Sequence, residues 1–232
     1  MGELLVKDKQ IVTPGDNLAS GLDFLPGKGT YRDADKIVAN CVGLVNVVGR
    51  TIAILNFSGK YMPKEGDTII GEIVDISLFG WRVDTNSAYS AMLSMKDASS
   101  DYIEKGADLT QYFNFGDFIA TKIIKVSGQK LVDLTMKGPG LRKLSGGRII
   151  RVNPNKVPRI IGKQGSMVSM IKDATTCRIV VGQNGIVWVQ GEVEKEIIAV
   201  NTIKKIEAEA HTSGLTERVK DYLDKSLKGA LP

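Results

Sequence analysis

Cysteine, histidine and long apolar runs are all scarce in this 232-residue chain. Cys41 and Cys177 are too few and too far apart for a disulfide framework, a zinc cluster or an iron–sulfur centre, and they read as small buried hydrophobes. His211 is the one histidine, which removes every two-histidine mechanism, and it falls in a polar stretch expected to be exposed. A membrane helix needs about 18 apolar residues. The nearest approach, Ile37 to Val48, is broken by Asn40 and Asn46, so no membrane role is expected. The opening Met1-Gly2-Glu3-Leu4-Leu5-Val6-Lys7 lacks the basic-then-apolar order of a secretory signal, and a cytoplasmic protein is expected. An aromatic share of 6% is low for one large core, whereas 25 glycines and seven prolines punctuate many short strands. Several small domains fit better than one large one.

Catalytic groups are equally thin. Asp97, Asp101, Glu104 and Asp108 fall at helical spacing, and acidic residues so placed read as a solvated face rather than a metal-holding nuclease centre. Gly27-Lys28-Gly29-Thr30 lacks the Ser or Thr directly after the lysine and the upstream glycine of a phosphate-binding loop. No catalytic residue, cofactor or metal is expected, and the chain is not expected to be an enzyme.

What the sequence does have is a lopsided charge. Residues 141–191 hold nine Lys and Arg against one Asp, more than the whole net charge of +5, while residues 67–140 carry a net −3. A concentrated basic patch is the footprint expected for a polyanion partner.

Three units follow one another. Residues 1–62 read as a small β domain, with strands over Lys36 to Asn40, Val42 to Val48 and Thr51 to Asn56, each rich in β-branched residues. Residues 63–140 restart the pattern with five candidate strands, Thr68 to Ile76, Trp81 to Asp84, Ala91 to Met95, Asp117 to Val126 and Lys130 to Thr135, which suggests a five-stranded OB-type barrel. The insertion from Lys96 to Phe115 allows a short helix near Asp101 to Lys105. Residues 141–210 change period to βααββα, ending on a helix whose apolar face carries Val193, Ile197, Val200, Ile203, Ile206 and Ala210. Residues 211–232 read as a further amphipathic helix with Leu215, Val219, Tyr222 and Leu223 on one face, a tail expected to be frayed or covered by a partner.

Two motifs carry chemistry. Ile160-Ile161-Gly162-Lys163-Gln164-Gly165 is a G-x-x-G loop between two short helices inside the basic segment, a KH signature. Glycines let a phosphate backbone approach the main chain at a helix N-terminus, and Lys163 adds a cation. Gly162, Lys163, Gln164 and Gly165, with Arg159 and Lys156, are the candidate RNA contacts here; the alternative is that the glycines serve only the turn and a subunit contact. Asp75-Ile76-Ser77-Leu78-Phe79-Gly80-Trp81-Arg82-Val83 resembles the S-one domain, an OB-fold RNA-binding module whose aromatics stack on bases. Phe79, Trp81, Arg82, Lys96, Lys122 and Lys130 are the candidates on this barrel, with the assignment of Phe79 and Trp81 to core or surface left open. Trp81 and Arg82 depart from the commoner small-then-aromatic pair, and Ser94 stands where many members carry a histidine.

The order of units, with Val12-Thr13-Pro14-Gly15 and Gly27-Lys28-Gly29-Thr30-Tyr31 in the first, resembles the RNA-binding cap subunits of the archaeal exosome of the ribosomal RNA-processing protein four type, over about residues 8–210. The resemblance implies a homotrimeric cap, alone or together with the other cap protein, on a hexameric ring of RNase PH-like subunits that holds the catalytic sites. It implies a ring-anchoring N-terminal domain, barrels around an entry pore, KH domains outside, and single-stranded RNA as ligand. A free-standing S-one/KH protein of transcription or translation, and a purely architectural ring clamp, are the competing readings.

Overall fold

The computed structural model describes residues 2–57, 59–104, 106–210, 212, 214–227 and 229. Two compact units divide the chain, residues 1–59 and 60–232. In the first, short runs set between glycine turns give β1 (Glu3–Leu4), β2 (Ile11–Val12), β3 (Asn17–Ser20), β4 (Leu25–Pro26), β5 (Thr30–Asp33), β6 (Lys36–Ala39), β7 (Gly43–Val48) and β8 (Thr51–Asn56). They pair as two four-stranded sheets, β1-β3-β6-β5 and β2-β7-β8-β4. Leu18, Ile37, Val45, Ile52 and Ile54 are buried in one cluster of this unit. Sequence periodicity marks β6, β7 and β8 but not the other five strands, three of which have two residues, too short to display alternation.

The second unit begins earlier than residue 63. Tyr61 is buried, and its hydroxyl donates to Asp67 at 2.6 Å. Burial, and then that bond, push the phenol well above its ordinary range, so Tyr61 stays a neutral anchor at physiological pH. The barrel follows with β9 (Thr68–Ser77), β10 (Gly80–Asp84), β11 (Ala91–Ser94), the short helix α1 (Met95–Ala98), β12 (Phe118–Val126) and β13 (Val132–Thr135). β13 pairs in parallel with β11 and antiparallel with β12, which closes the five strands. The helix expected near Asp101 to Lys105 is absent over residues 101–104, and Lys105 lies outside the described residues. Helical turns instead sit at α1, capped by the Ser94 side chain, and at a 3-10 turn over Leu109–Gln111 capped by Asp108. Beyond residue 140 the chain stays with the barrel as β14 (Arg142–Leu144), paired to β12.

The KH domain is β15 (Arg148–Arg151), α2 (Val157–Ile161), α3 (Ser166–Thr175), β16 (Arg178–Val181), β17 (Ile186–Gln190) and α4 (Val193–Glu209), with sheet order β15-β17-β16. Both faces of this sheet are covered. Ile179, Val187 and Val189 pack with the helices, while Ile186 and Trp188 pack with Ile70, Ala120 and Leu144 of the barrel. Asn184, fully buried in the β16–β17 turn, completes the seam: its side-chain amide donates to the carbonyls of Ile70 and Thr85 and accepts from the Ile70 amide, at 2.6, 2.9 and 3.3 Å. An unpaired buried amide would cost about 1–3 kcal/mol, so this full set of partners fixes the turn against β9.

α5 (Leu215–Leu227) departs from the expectation of a frayed or partner-covered tail. Leu215, Val219 and Leu223 are buried in the same cluster as Ile160, Ile171 and Ile203. Burial is worth about 1.5–3 kcal/mol per such side chain, enough to hold a helix of a length that is marginal alone. Arg218 and Lys205 both pair with Glu209 at 2.8 Å, tying α5 to α4. The tail is thus a structural part of the KH core. His211 lies outside the described residues.

Candidate nucleic-acid interface

The KH loop is built by two glycines with different duties. Gly162 ends α2 at φ 77°, Gln164 follows in the left-handed region at φ 53°, and Gly165 opens α3 at φ 82°. A Cβ on Gly162 would lie 2.7 Å from both the amide nitrogen and the Cβ of Met167, so the fold itself excludes a side chain there. Gly165 has open space where its Cβ would be, and only its backbone angle favours glycine. α3 starts with no side-chain cap, leaving the positive end of the helix toward the loop. Lys163, Gln164 and Arg159 are exposed around it.

Lys156 does not join them. It is half-buried, and its ammonium donates to the Glu207 carbonyl at 2.9 Å, in the last turn of α4 where cations are favoured. Of the nine cations in residues 141–191, two more are engaged by the protein. Arg142 lies over the Trp188 ring at 5.7 Å and Lys143 pairs with Asp117. Arg148, Arg151, Arg159, Lys163, Lys172 and Arg178 stay exposed with no ion pair among the described residues. A cleft of about 450 Å³ lies between the loop and the start of α5, lined by Arg159 and Lys163 together with Thr216 and Glu217.

On the barrel, the two-residue turn Leu78-Phe79 between β9 and β10 leaves both side chains in solvent, 83% and 77% exposed. Trp81 is the opposite case and corrects its assignment as an RNA contact. It is wholly buried, its ring edge-on to Phe113 at 5.2 Å and its Nε1 donating to the Phe113 carbonyl at 3.0 Å. Phe79 escapes strand alternation because it precedes β10, whereas Trp81 lies within β10 and follows the pleat inward.

Phe79 and Lys96 line one open cleft of about 1230 Å³, to which the insertion between β11 and β12 also contributes. Leu78 lines it too, as do Tyr102 and Lys137, which no sequence motif marks. Arg82 is exposed on β10 and loosely paired with Asp75 at 3.8 Å; Lys122 on β12 and Lys130 in the β12–β13 turn are exposed but do not line the cleft. Asp108 also lines the cleft, and hydrogen bonds from the Thr110 hydroxyl and amide hold its carboxyl below the usual carboxylate range, a fixed negative charge at neutral pH. Asp97, Asp101, Glu104 and Asp108 share no helix face, and no cluster of metal-ligating side chains occurs among the described residues. No helix of the described residues is long and apolar enough to cross a membrane.

An exposed aromatic cleft thus lies on a closed five-stranded barrel that is sealed to a βααββα domain with a glycine loop. Residues 60–106 match a family described as "RRP4, S1 domain", residues 147–195 a KH domain family, and residues 11–48 a family described as "Exosome complex exonuclease RRP4 N-terminal region". Similarity runs nearly end to end. The exosome complex component Rrp4 of Methanothermus fervidus is 43% identical over 226 residues, covering 97% of this chain and 100% of that protein. The chain belongs to the Rrp4 family of exosome complex components. The family member from Thermococcus kodakarensis is 41% identical, covering 96% of this chain and 88% of its own. A crystal structure assigned to an exosome complex RNA-binding protein aligns with TM-score 0.67 and 34% identity, over 75% of this chain and all of that one. For an Rrp4-family chain, the resemblance read from the order of its three units is thereby shown, as is the fold class of β domain, barrel and KH domain.

Proposed function

We propose that this chain is a non-catalytic, cytoplasmic RNA-binding subunit of an archaeal exosome. Three copies, alone or with the other cap protein, sit on a hexameric ring of RNase PH-like subunits, hold single-stranded RNA, and raise the processivity of 3'-to-5' degradation and tailing. The observation that carries this reading is the buried seam at Asn184, which makes an aromatic cleft and a basic glycine loop parts of one body. Stacking at Phe79 and phosphate neutralisation at Lys163 and Arg159 then act on one strand, and the second contact forms at the high effective concentration set by the first. In the N-terminal unit, the sheet β2-β7-β8-β4 leaves Ile11, Leu25, Val48 and Leu55 exposed, an apolar face suited to lasting contact with the ring.

The test is RNA degradation by the nuclease ring with and without this chain, read beside size exclusion of the mixture. Co-elution with longer processive runs is expected. Co-elution with unchanged RNA handling would reduce the chain to an architectural clamp, and RNA binding without co-elution would make it a free-standing module.

A further inference from the structure

We infer that Tyr102 is a second stacking residue and that the cleft between it and the Leu78-Phe79 turn takes an unpaired nucleobase of the RNA; this rests on the proposed RNA-binding reading of the barrel. Tyr102 is 82% exposed although the next residue, Ile103, is buried in the barrel core, as is Leu109 at the other end of the segment. The insertion is therefore anchored, and it presents a large ring to water that packing alone does not account for. Tyr102 and Phe79 line the same cleft, two aromatic faces on one open space. Every base has a π-face, so such a pair grips bases without regard to their edges.

The polar groups of the cleft point the same way. Ser77 donates to the Gly80 carbonyl, Ser94 to Asp97 and Thr110 to Asp108, so these hydroxyls are already spent within the protein. Ser100, Asp101 and the Tyr102 hydroxyl also line the cleft, and stacking between the two rings is the interaction there that does not depend on which base is bound. Lys96 and Lys137 supply positive charge to the cleft for the flanking phosphates, while Asp101 and the ionised Asp108 line it too and disfavour phosphate beside them. Bases inside a duplex are already stacked on their neighbours, and the cleft therefore discriminates single strands from double-stranded RNA.

The experiment is fluorescence anisotropy of the full chain with a short labelled single-stranded RNA, a matching duplex, and the same single strand carrying abasic sites. Tyr102→Ala is expected to weaken single-strand binding about 5- to 100-fold. Tyr102→Phe should restore it, and the loss should vanish on abasic RNA. Because the ring is exposed, the thermal midpoint of Tyr102→Ala should match the parent. Unchanged affinity in Tyr102→Ala, or an equal loss on abasic RNA, would overturn the assignment. Phe79→Ala run in parallel separates the two levels: if it weakens binding and Tyr102→Ala does not, only Tyr102 is wrong, and if neither weakens binding the barrel reading falls as well.

Discussion

The barrel turn and the KH loop each hold a pair of like residues, Phe79 with Trp81 and Gly162 with Gly165, and in each pair one member belongs to the surface and the other to the fold. Phe79 is exposed while Trp81 is wholly buried; Gly165 has open space while Gly162 abuts Met167. Half of each motif is therefore architecture. The two regions also differ in what they offer RNA. The barrel segment, net −3 over residues 67–140, presents aromatic faces, whereas the +8 segment from 141 to 191 has no exposed aromatic and presents charge and backbone. Stacking and phosphate neutralisation are divided between two domains sealed to each other, and each should respond to a different variable.

That division can be broken in order of size. Trp81→Ala should cost about 3–5 kcal/mol of unfolding free energy, from the emptied core and the orphaned Phe113 carbonyl. Phe79→Ala should leave stability within about 0.5 kcal/mol yet lower RNA affinity by about 1–3 kcal/mol. Urea unfolding beside an RNA titration checks both, and a Trp81→Ala protein of parental stability would end the distinction. Gly165→Ala should cost only the strain of the left-handed backbone, about 1–2 kcal/mol. Gly162→Ala adds a collision with Met167 and should be less stable than Gly165→Ala by about 1–3 kcal/mol, read from thermal melts.

The charged half is sharpened by salt. Removing Lys163 should lower the slope of log affinity against log salt by about 0.7 if it holds one phosphate of a single strand, while Phe79→Ala should leave the slope alone. An unchanged slope in Lys163→Ala would mean that the loop is structural throughout. The smallest effect lies in the tie between α4 and α5. Hydrogen bonds from Lys205 and Arg218 hold the Glu209 carboxyl below its ordinary 4.5. A depressed folded-state value stabilises fully above the unfolded value and is lost as pH falls through the folded one. Acid melts should therefore show a shallower loss of stability for Glu209→Gln than for the parent below about pH 4.5.

Much of this was legible from the chain alone. Ile160 to Gly165 and the βααββα period identify the KH domain because a glycine loop and helical spacing are local patterns, and β9 to β13 are long enough to show their alternation. The three two-residue strands of the first unit carry no readable period. Lys156 looks like its neighbours Arg159 and Lys163, since nothing local says that the Glu207 carbonyl, 51 residues on, will accept a hydrogen bond from it. Tyr102 and Lys137 had no motif to announce them.

The sequence by itself determined the number, order and type of the domains, the concentration of positive charge in one of them, and the loop that ends α2. These rest on composition and on spacing over a few residues, which local sterics and periodic burial make readable. Only the tertiary structure decided which member of each motif faces solvent, that α5 is core rather than tail, and that Asn184 seals barrel to KH domain across 114 residues of chain. Those outcomes depend on which distant surfaces exclude water from one another, and burial between distant segments leaves no mark in the spacing of either.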